Sequence, residues 1–402
     1  MPAPRECPCC GQLQRTGLHV QRFAPIAGRV TLNGYTVVSC DHCGMIFADG
    51  IPSQHELDEY YEHASKYAYA GSSGKESPSD AARLAATAAA IAGFCPDRSA
   101  RILDVGAATG RLLHELKQLG YEHVSGEDHA QECGPIAAQL YGVTVRHPIN
   151  GRSGEYDLIT LVGVLEHVRD VRECIAWLAP HLTDGGQLYV EVPDVAGFAS
   201  VNNVPYQELS PEHINFFSER SLRTTLEQCG LLVTSCTTAT REQGPGVLSP
   251  TLIVTAARVG PWQDPQDPAA IARAGSFTAD RDSAGKLHGY LLRSASDDHA
   301  MRRRLDHRLD TARWVIIWGV GALTRRLAAD FVLSREEVIG FVDADPRVIG
   351  GKFLGHTIMA PAEAIGRTIE DPGTTILPLS RQHGDAIRAQ IPAGITVARG
   401  VI

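Results

Sequence analysis

The chain has 402 residues, with 37 Lys and Arg against 46 Asp and Glu and a formal net charge of −9. Apolar residues make up 44% and charged residues 21%, which excludes a mainly disordered chain, and the acidic balance speaks against a general nucleic-acid binder. The length suits two or three domains, each with its own core. No stretch approaches the roughly 20 apolar residues of a membrane span, and Met1-Pro2-Ala3-Pro4-Arg5 lacks the apolar core of a signal peptide, so a cytoplasmic protein without a membrane partner is expected.

Ten cysteines in a reducing compartment point away from disulfides. Cys7 with Cys10 and Cys40 with Cys43 form two CxxC pairs, followed by Gly11 and Gly44, where glycine lets the backbone turn under a metal. Zinc binds four thiolates as a closed tetrahedron and can hold together a segment too short for a core, so a structural Zn2+ is expected here. Reactive thiol pairs are the other reading, and Cys9 is taken as a bystander.

Residues 1–80 thus form a zinc-binding unit with a strand near Tyr35-Thr36-Val37-Val38, then a tyrosine-rich stretch ending in Gly71-Ser72-Ser73-Gly74. Residues 81–260 alternate helical and strand patterns: helix 81–92, strand 101–105, helix 111–119, strands 143–145 and 156–162, helix 171–182 and strand 187–192. That alternation predicts a parallel sheet covered on both faces. Residues 261–311 read as a linker opening on Pro261, Pro265 and Pro268, followed by a solvated helix carrying Arg302, Arg303, Arg304 and Arg308. Residues 312–402 begin a second strand–turn–helix unit at Trp314, with Gly319-Val320-Gly321 in the turn and a later strand ending at Asp343.

The most informative stretch is Asp104-Val105-Gly106-Ala107-Ala108-Thr109-Gly110. Gly106 and Gly110 allow a tight strand-to-helix turn with a ligand close to the backbone, at the carboxyl edge where parallel sheets bind ligands. Asp104 stands before the turn where a dinucleotide site is apolar, and Glu127 and Asp128 end the next strand, where a carboxylate can hold both ribose hydroxyls. Carboxylates here repel a diphosphate and suit a ligand bearing an ammonium and a sulfonium.

These residues resemble the class I S-adenosylmethionine-dependent methyltransferases, and the likeness extends through Tyr156-Asp157-Leu158-Ile159, Val164-Leu165-Glu166-His167-Val168 and Gly185 to Pro193. The resemblance implies an α/β fold with a central Rossmann-like seven-stranded sheet ending in an antiparallel hairpin, for which 231–238 and 251–258 are the candidates. It also implies that Asp104, Gly106, Ala107, Gly110, Glu127, Asp128 and His167 line the S-adenosyl-L-methionine site, with Glu166 and His167 framing the cofactor rather than reacting.

A zinc ribbon before this domain and a smaller Rossmann-like α/β unit after it are similar to the three-domain C-methyltransferases of nucleotide-linked keto sugars. In that family a tyrosine-serine segment follows the ribbon, and 66–73 looks like it. The family's Tyr-His-Glu-His motif is approximated by Ser210-Pro211-Glu212-His213, with the tyrosine and first histidine replaced. The resemblance implies a small-molecule substrate, a nucleotide-diphosphate sugar. Carbon methylation needs a base near neutral pKa, so His213 is the candidate base. Glu212 would orient it or share the proton, and Tyr69, in close choice with Tyr67, would donate to the enolate oxygen; Tyr206 is a substitute for the missing motif tyrosine. His213 could instead buttress the loop before the helix starting at Ser218.

In the C-terminal unit, Gly319-Val320-Gly321 opens a helix with Arg325 and Arg326 in its next turns, an arrangement suited to an anion. Thr324 occupies the place of the third glycine of a dinucleotide fingerprint, so a substrate diphosphate is preferred over a redox cofactor, with a ligand-free packing unit as the other reading. Transfer to O or N of another small metabolite or surface-glycan precursor, or a non-catalytic assembly role, are the competing functions.

Overall fold

Two cysteine knuckles start the chain. Gly11 and Gly44 donate their N–H groups back to the carbonyls of Cys7 and Cys40 at 2.9 Å each. Gly44 has φ +79°, and a Cβ there would lie 1.8 Å from the Asp280 carbonyl oxygen, so this turn admits only glycine. The computed structural model describes residues 4–29, 31–64, 76–148, 155–258, 278–398 and 400–401. Between the knuckles lie β1 (Arg15–Arg22) and β2 (Gly34–Cys40), followed by β3 (Ile46–Asp49) and helix α1 (Gln54–Ala64).

The central unit opens with α2 (Pro78–Phe94), where the Ser77 side chain accepts the Asp80 N–H and Pro78 takes a position that needs no donor. Then come β4 (Arg101–Val105), α3 (Arg111–Gln118), β5 (His123–Glu127), α4 (Cys133–Tyr141), β6 (Val145–Arg146), β7 (Tyr156–Val162), α5 (Val171–Leu178) and β8 (Leu182–Pro193). After β9 (Asn215–Phe216) and α6 (Glu219–Gln228), β10 (Leu231–Gly244) and β11 (Val247–Arg258) close a hairpin. The seven strands stand in the order β10-β11-β8-β7-β4-β5-β6, parallel except where β11 meets β8 and β10. This is the mixed seven-stranded α/β sheet expected of the class I methyltransferase fold. Leu103, Ile159 and Val190 on its central strands are at most 1% exposed, each contributing roughly 1.5–3 kcal/mol by burial.

Several elements differ from expectation. Helix 171–182 stops at Leu178 and continues as a 3-10 turn, because Pro180 has no N–H to donate and disfavours helical geometry before it. The strand expected at 143–145 shortens to β6, and the hairpin strands run six residues past 238 and four before 251. β9 pairs with β3 (Ile46 opposite Phe216), so residues just after His213 complete the four-stranded sheet β1-β2-β3-β9 of the N-terminal unit. Arg5 reinforces that junction: it is 2% exposed and donates to the carbonyls of Ala48, Ile214, Val168 and Arg169 and to Asn215 Oδ1. Burial pulls its guanidinium down to about 9.

Helix α7 (Ser283–Thr311) corrects the expectation of a solvated helix. Its Leu287, Tyr290 and Leu291 pack with Phe23, Tyr35 and Phe216, while its Met301, Leu305 and Leu309 enter the C-terminal core. Arg302 pairs with Asp298 and Asp330 at 2.6 Å each. The C-terminal unit follows with β12 (Trp314–Trp318), α8 (Ala322–Ala329), β13 (Val338–Val342), β14 (Lys352–Phe353), β15 (His356–Met359), α9 (Pro361–Glu370), β16 (Thr374–Pro378) and α10 (Gly384–Gln390). Its five strands are ordered β14-β15-β13-β12-β16, parallel apart from β14. No described helix is long and apolar enough to cross a membrane.

Candidate active site

One cavity of about 1160 Å³ runs from the carboxyl ends of the central strands to the C-terminal unit. At its first end, Gly106 has φ +73° and a Cβ there would meet Val164 Cγ2 at 2.6 Å, while Gly110 has φ +83°. Gly106 and Ala107 donate to the Glu127 carbonyl, which sets the turn against the end of β5. Gly106, Glu127 and Asp128 line the cavity. The Asp128 carboxylate accepts the N–H groups of Ala108 at 2.8 Å and Ala130 at 2.9 Å, so it braces both loops. The carboxylate retains capacity to accept a further hydroxyl.

Asp104 takes a different place. It is 4% exposed, is absent from the cavity wall and accepts the Thr160 hydroxyl at 2.7 Å. Burial, with Asp128 adding repulsion and Thr160 opposing, raises its carboxyl to about 7. It underpins the glycine turn from below.

Farther along, Glu166, His167, Glu212 and His213 share the wall with Tyr60 and Tyr61 of α1. The turn after β7 is stapled to the loop before β9. Ile214 and Asn215 donate their N–H groups to the Glu166 carbonyl at 2.8 and 3.2 Å, and Asn215 Nδ2 reaches the carbonyls of Leu165 and Val168 at 2.6 and 2.7 Å. His167 and His213 stand edge to face, with ring centroids 5.0 Å apart. Tyr60 donates to Glu212 Oε1 at 2.7 Å, and the Tyr61 hydroxyl is 3.2 Å from His167 Nδ1. Burial, with the Glu212 carboxylate beside it, holds the Tyr60 phenol well above its usual range. Tyr69 and Tyr67 lie outside the described residues. Tyr206 is not on the cavity wall; it stacks on His19 at 5.1 Å with Arg326 against its ring.

At the far end the wall includes Val320, Gly321, Ala322, Arg325 and Arg347. Asp343 accepts the Val320 N–H at 2.7 Å, and Thr324 ties its hydroxyl to the Gly319 carbonyl at 2.5 Å, so the third-glycine position serves to brace the loop. Arg325 donates to the carbonyls of Ala24 and Leu32, and its burial pulls its pKa below the usual guanidinium value. Arg326, expected beside a bound anion, is instead paired with Asp298 at 2.6 Å and lies off the wall.

Residues 77–235 match the family model described as a methyltransferase domain. The central domain is a methyltransferase. No curated protein matches the chain. Among solved structures, an S-adenosylmethionine-dependent methyltransferase of Methanosarcina mazei is 17% identical, with a TM-score of 0.35, over 42% of this chain and 97% of that one. The magnesium protoporphyrin IX methyltransferase of Synechocystis with bound S-adenosylhomocysteine is 16% identical, with a TM-score of 0.39, over 51% and 100%. The 1,6-didemethyltoxoflavin-N1-methyltransferase of Burkholderia thailandensis is 20% identical, with a TM-score of 0.39, over 55% and 96%.

The methyltransferase domain is flanked by a cluster that could hold a metal. The sulfurs of Cys7, Cys10, Cys40 and Cys43 all lie within 4.8 Å of one another, with Cys7–Cys43 and Cys10–Cys40 at 3.5 Å. Zinc–sulfur bonds of about 2.3 Å place tetrahedral sulfurs roughly 3.8 Å apart, so the set fits Zn2+. Cys9 is fully buried, faces the Ser221 carbonyl and also lies against Cys43, outside the set of four.

Three residues on the methyltransferase cavity escaped sequence reasoning. Tyr60 and Tyr61 belong to the tyrosine-rich stretch after the cysteine pairs, and their adjacency in an amphipathic helix is the available signal. Arg347 carried none: it follows Asp345-Pro346 in a loop and pairs with Asp345 at 2.5 Å.

Proposed function

We propose that the protein transfers a methyl group from S-adenosylmethionine to a carbon of a nucleotide-linked keto sugar. The observation that supports this reading is the shared cavity: Gly106 with Glu127 and Asp128, the Glu212–His213 pair, and Val320 with Gly321 all line it. S-adenosylmethionine bound at the glycine turn supplies an electrophilic methyl on sulfonium. His213 would take the proton from the carbon beside the substrate ketone, and the resulting enolate carbon would be the nucleophile for the methyl, the S–CH3 bond breaking to leave the neutral thioether S-adenosylhomocysteine. Glu212, held by Tyr60, orients the imidazole or shares the proton, and Tyr69 donates to the enolate oxygen. The open first turn of α8 and the Arg347 side chain are the groups for the diphosphate. A structural Zn2+ on Cys7, Cys10, Cys40 and Cys43 holds the N-terminal unit together.

Transfer to O or N of a small metabolite or surface-glycan precursor is the second reading, favoured by Ser210 and Pro211 in place of the motif's tyrosine and histidine. Solvent exchange separates the two, since only carbon methylation removes a carbon-bound proton. With S-adenosylhomocysteine filling the cofactor site, deuterium enters a candidate nucleotide keto sugar, and His213→Asn abolishes the exchange and lowers turnover by about 10²–10⁴. Near-normal turnover and exchange in His213→Asn would return His213 to a loop-buttressing role.

A further inference from the structure

We propose that Glu166, His167 and His213 form a second metal site, on the cavity wall, for a borderline divalent cation such as Zn2+, Co2+ or Ni2+. One ligand atom from each lies within 4.8 Å of the others, and His167 Nε2 is 4.0 Å from Glu166 Oε1. Metal–ligand bonds of about 2.1 Å require neighbouring donors roughly 3–3.4 Å apart. Seating one ion therefore requires the donors to close by roughly 1 Å from their present separation.

The tautomer of His167 is set for ligation. Its Nδ1 is 2.9 Å from the Glu212 carbonyl oxygen, which can only accept, so Nδ1 carries a proton and Nε2, on the Glu166 side, is the nitrogen left for an ion. A ligating histidine that donates its other nitrogen to a carbonyl is the usual outer-shell arrangement of metal centres. The backbone is prearranged as well. Ile214 and Asn215 bond to the Glu166 carbonyl, so the segment carrying His213 cannot drift from the turn carrying Glu166 and His167.

Two imidazoles and one carboxylate leave coordination positions open toward the cavity, and this donor set suits Zn2+, Co2+, Ni2+ and Fe2+, not the oxygen-seeking Mg2+ or Ca2+. The site stands whether or not His213 is a base. Where it is, ligation and proton uptake use the same lone pair and exclude each other, so the ion inhibits transfer.

The test uses the full chain with its four-cysteine cluster already loaded with zinc. Titration with Co2+ is expected to add one equivalent with visible d–d absorption and no thiolate charge-transfer band, insensitive to millimolar Mg2+. His213→Ala, His167→Ala and Glu166→Gln, each checked for an unchanged circular dichroism spectrum, weaken that binding by roughly 10–100-fold or more. No additional equivalent, or one that persists in His213→Ala and Glu166→Gln, overturns the proposal. Neither result bears on the deuterium-exchange test, which is run without added metal.

Discussion

Tyr60 donates its phenolic hydrogen to Glu212 at 2.7 Å, joining helix α1 of the N-terminal unit to the loop that precedes β9. In that loop the Ser210 hydroxyl accepts the His213 N–H at 3.2 Å. The phenol beside Glu212 comes from a distant part of the chain.

Removing that phenol tests the arrangement. Tyr60→Phe deletes a hydrogen bond to a carboxylate and is expected to cost about 1.5–3 kcal/mol of stability, read from urea unfolding. Combined with Glu212→Gln, the two changes should be non-additive by about 0.5–3 kcal/mol, as for residues in direct contact. Simple additivity would mean that the bond contributes nothing in solution.

Zinc content is a second check. Purified protein should carry about one zinc per chain, as a closed four-thiolate site does. Cys10→Ser should lower zinc content, solubility and thermal midpoint together. Metal-free protein with unchanged unfolding would sink the structural role.

The cofactor end is tested through Asp128. Asp128→Ala removes a carboxylate that also braces the N–H groups of Ala108 and Ala130. S-adenosylmethionine binding measured by calorimetry is expected to weaken by about 1.5–3 kcal/mol. Unchanged affinity would move the ribose contact to Glu127, where Glu127→Gln is the matching variant.

Two buried carboxyls predict a pH dependence with a definite sign. Burial raises Asp104 from 3.8, and Glu208 from 4.5, to about 7 in the folded protein. Well below pH 3.8 both are protonated in either state. As pH rises toward 7 the unfolded chain releases these protons first, so stability falls across that window and levels off above it. Asp104→Asn and Glu208→Gln should each flatten the fall in denaturant midpoint between pH 4 and 7. A slope unchanged in both variants would assign the dependence to other groups.

What could be read from the chain alone was local. The paired cysteines with their glycines, the Gly106–Gly110 turn after a buried strand and the acids ending β5 each lie within a dozen residues, where spacing dictates geometry. The alternation of strand and helix patterns foretold the parallel layers for the same reason, because burial of a periodic apolar face is set by neighbours in sequence. Tertiary structure alone placed Tyr60 on Glu212, Tyr61 beside His167 and Arg347 on the cavity wall, and gave α7 two apolar partners. Tyr60 and Glu212 are separated by 152 residues. No local propensity encodes such a meeting: it follows from distant segments packing into shared cores, one of which joins Val38 and Phe47 to Leu103, Ile159 and Val190, with Arg5, β9 and α7 as the pieces that fix how they meet.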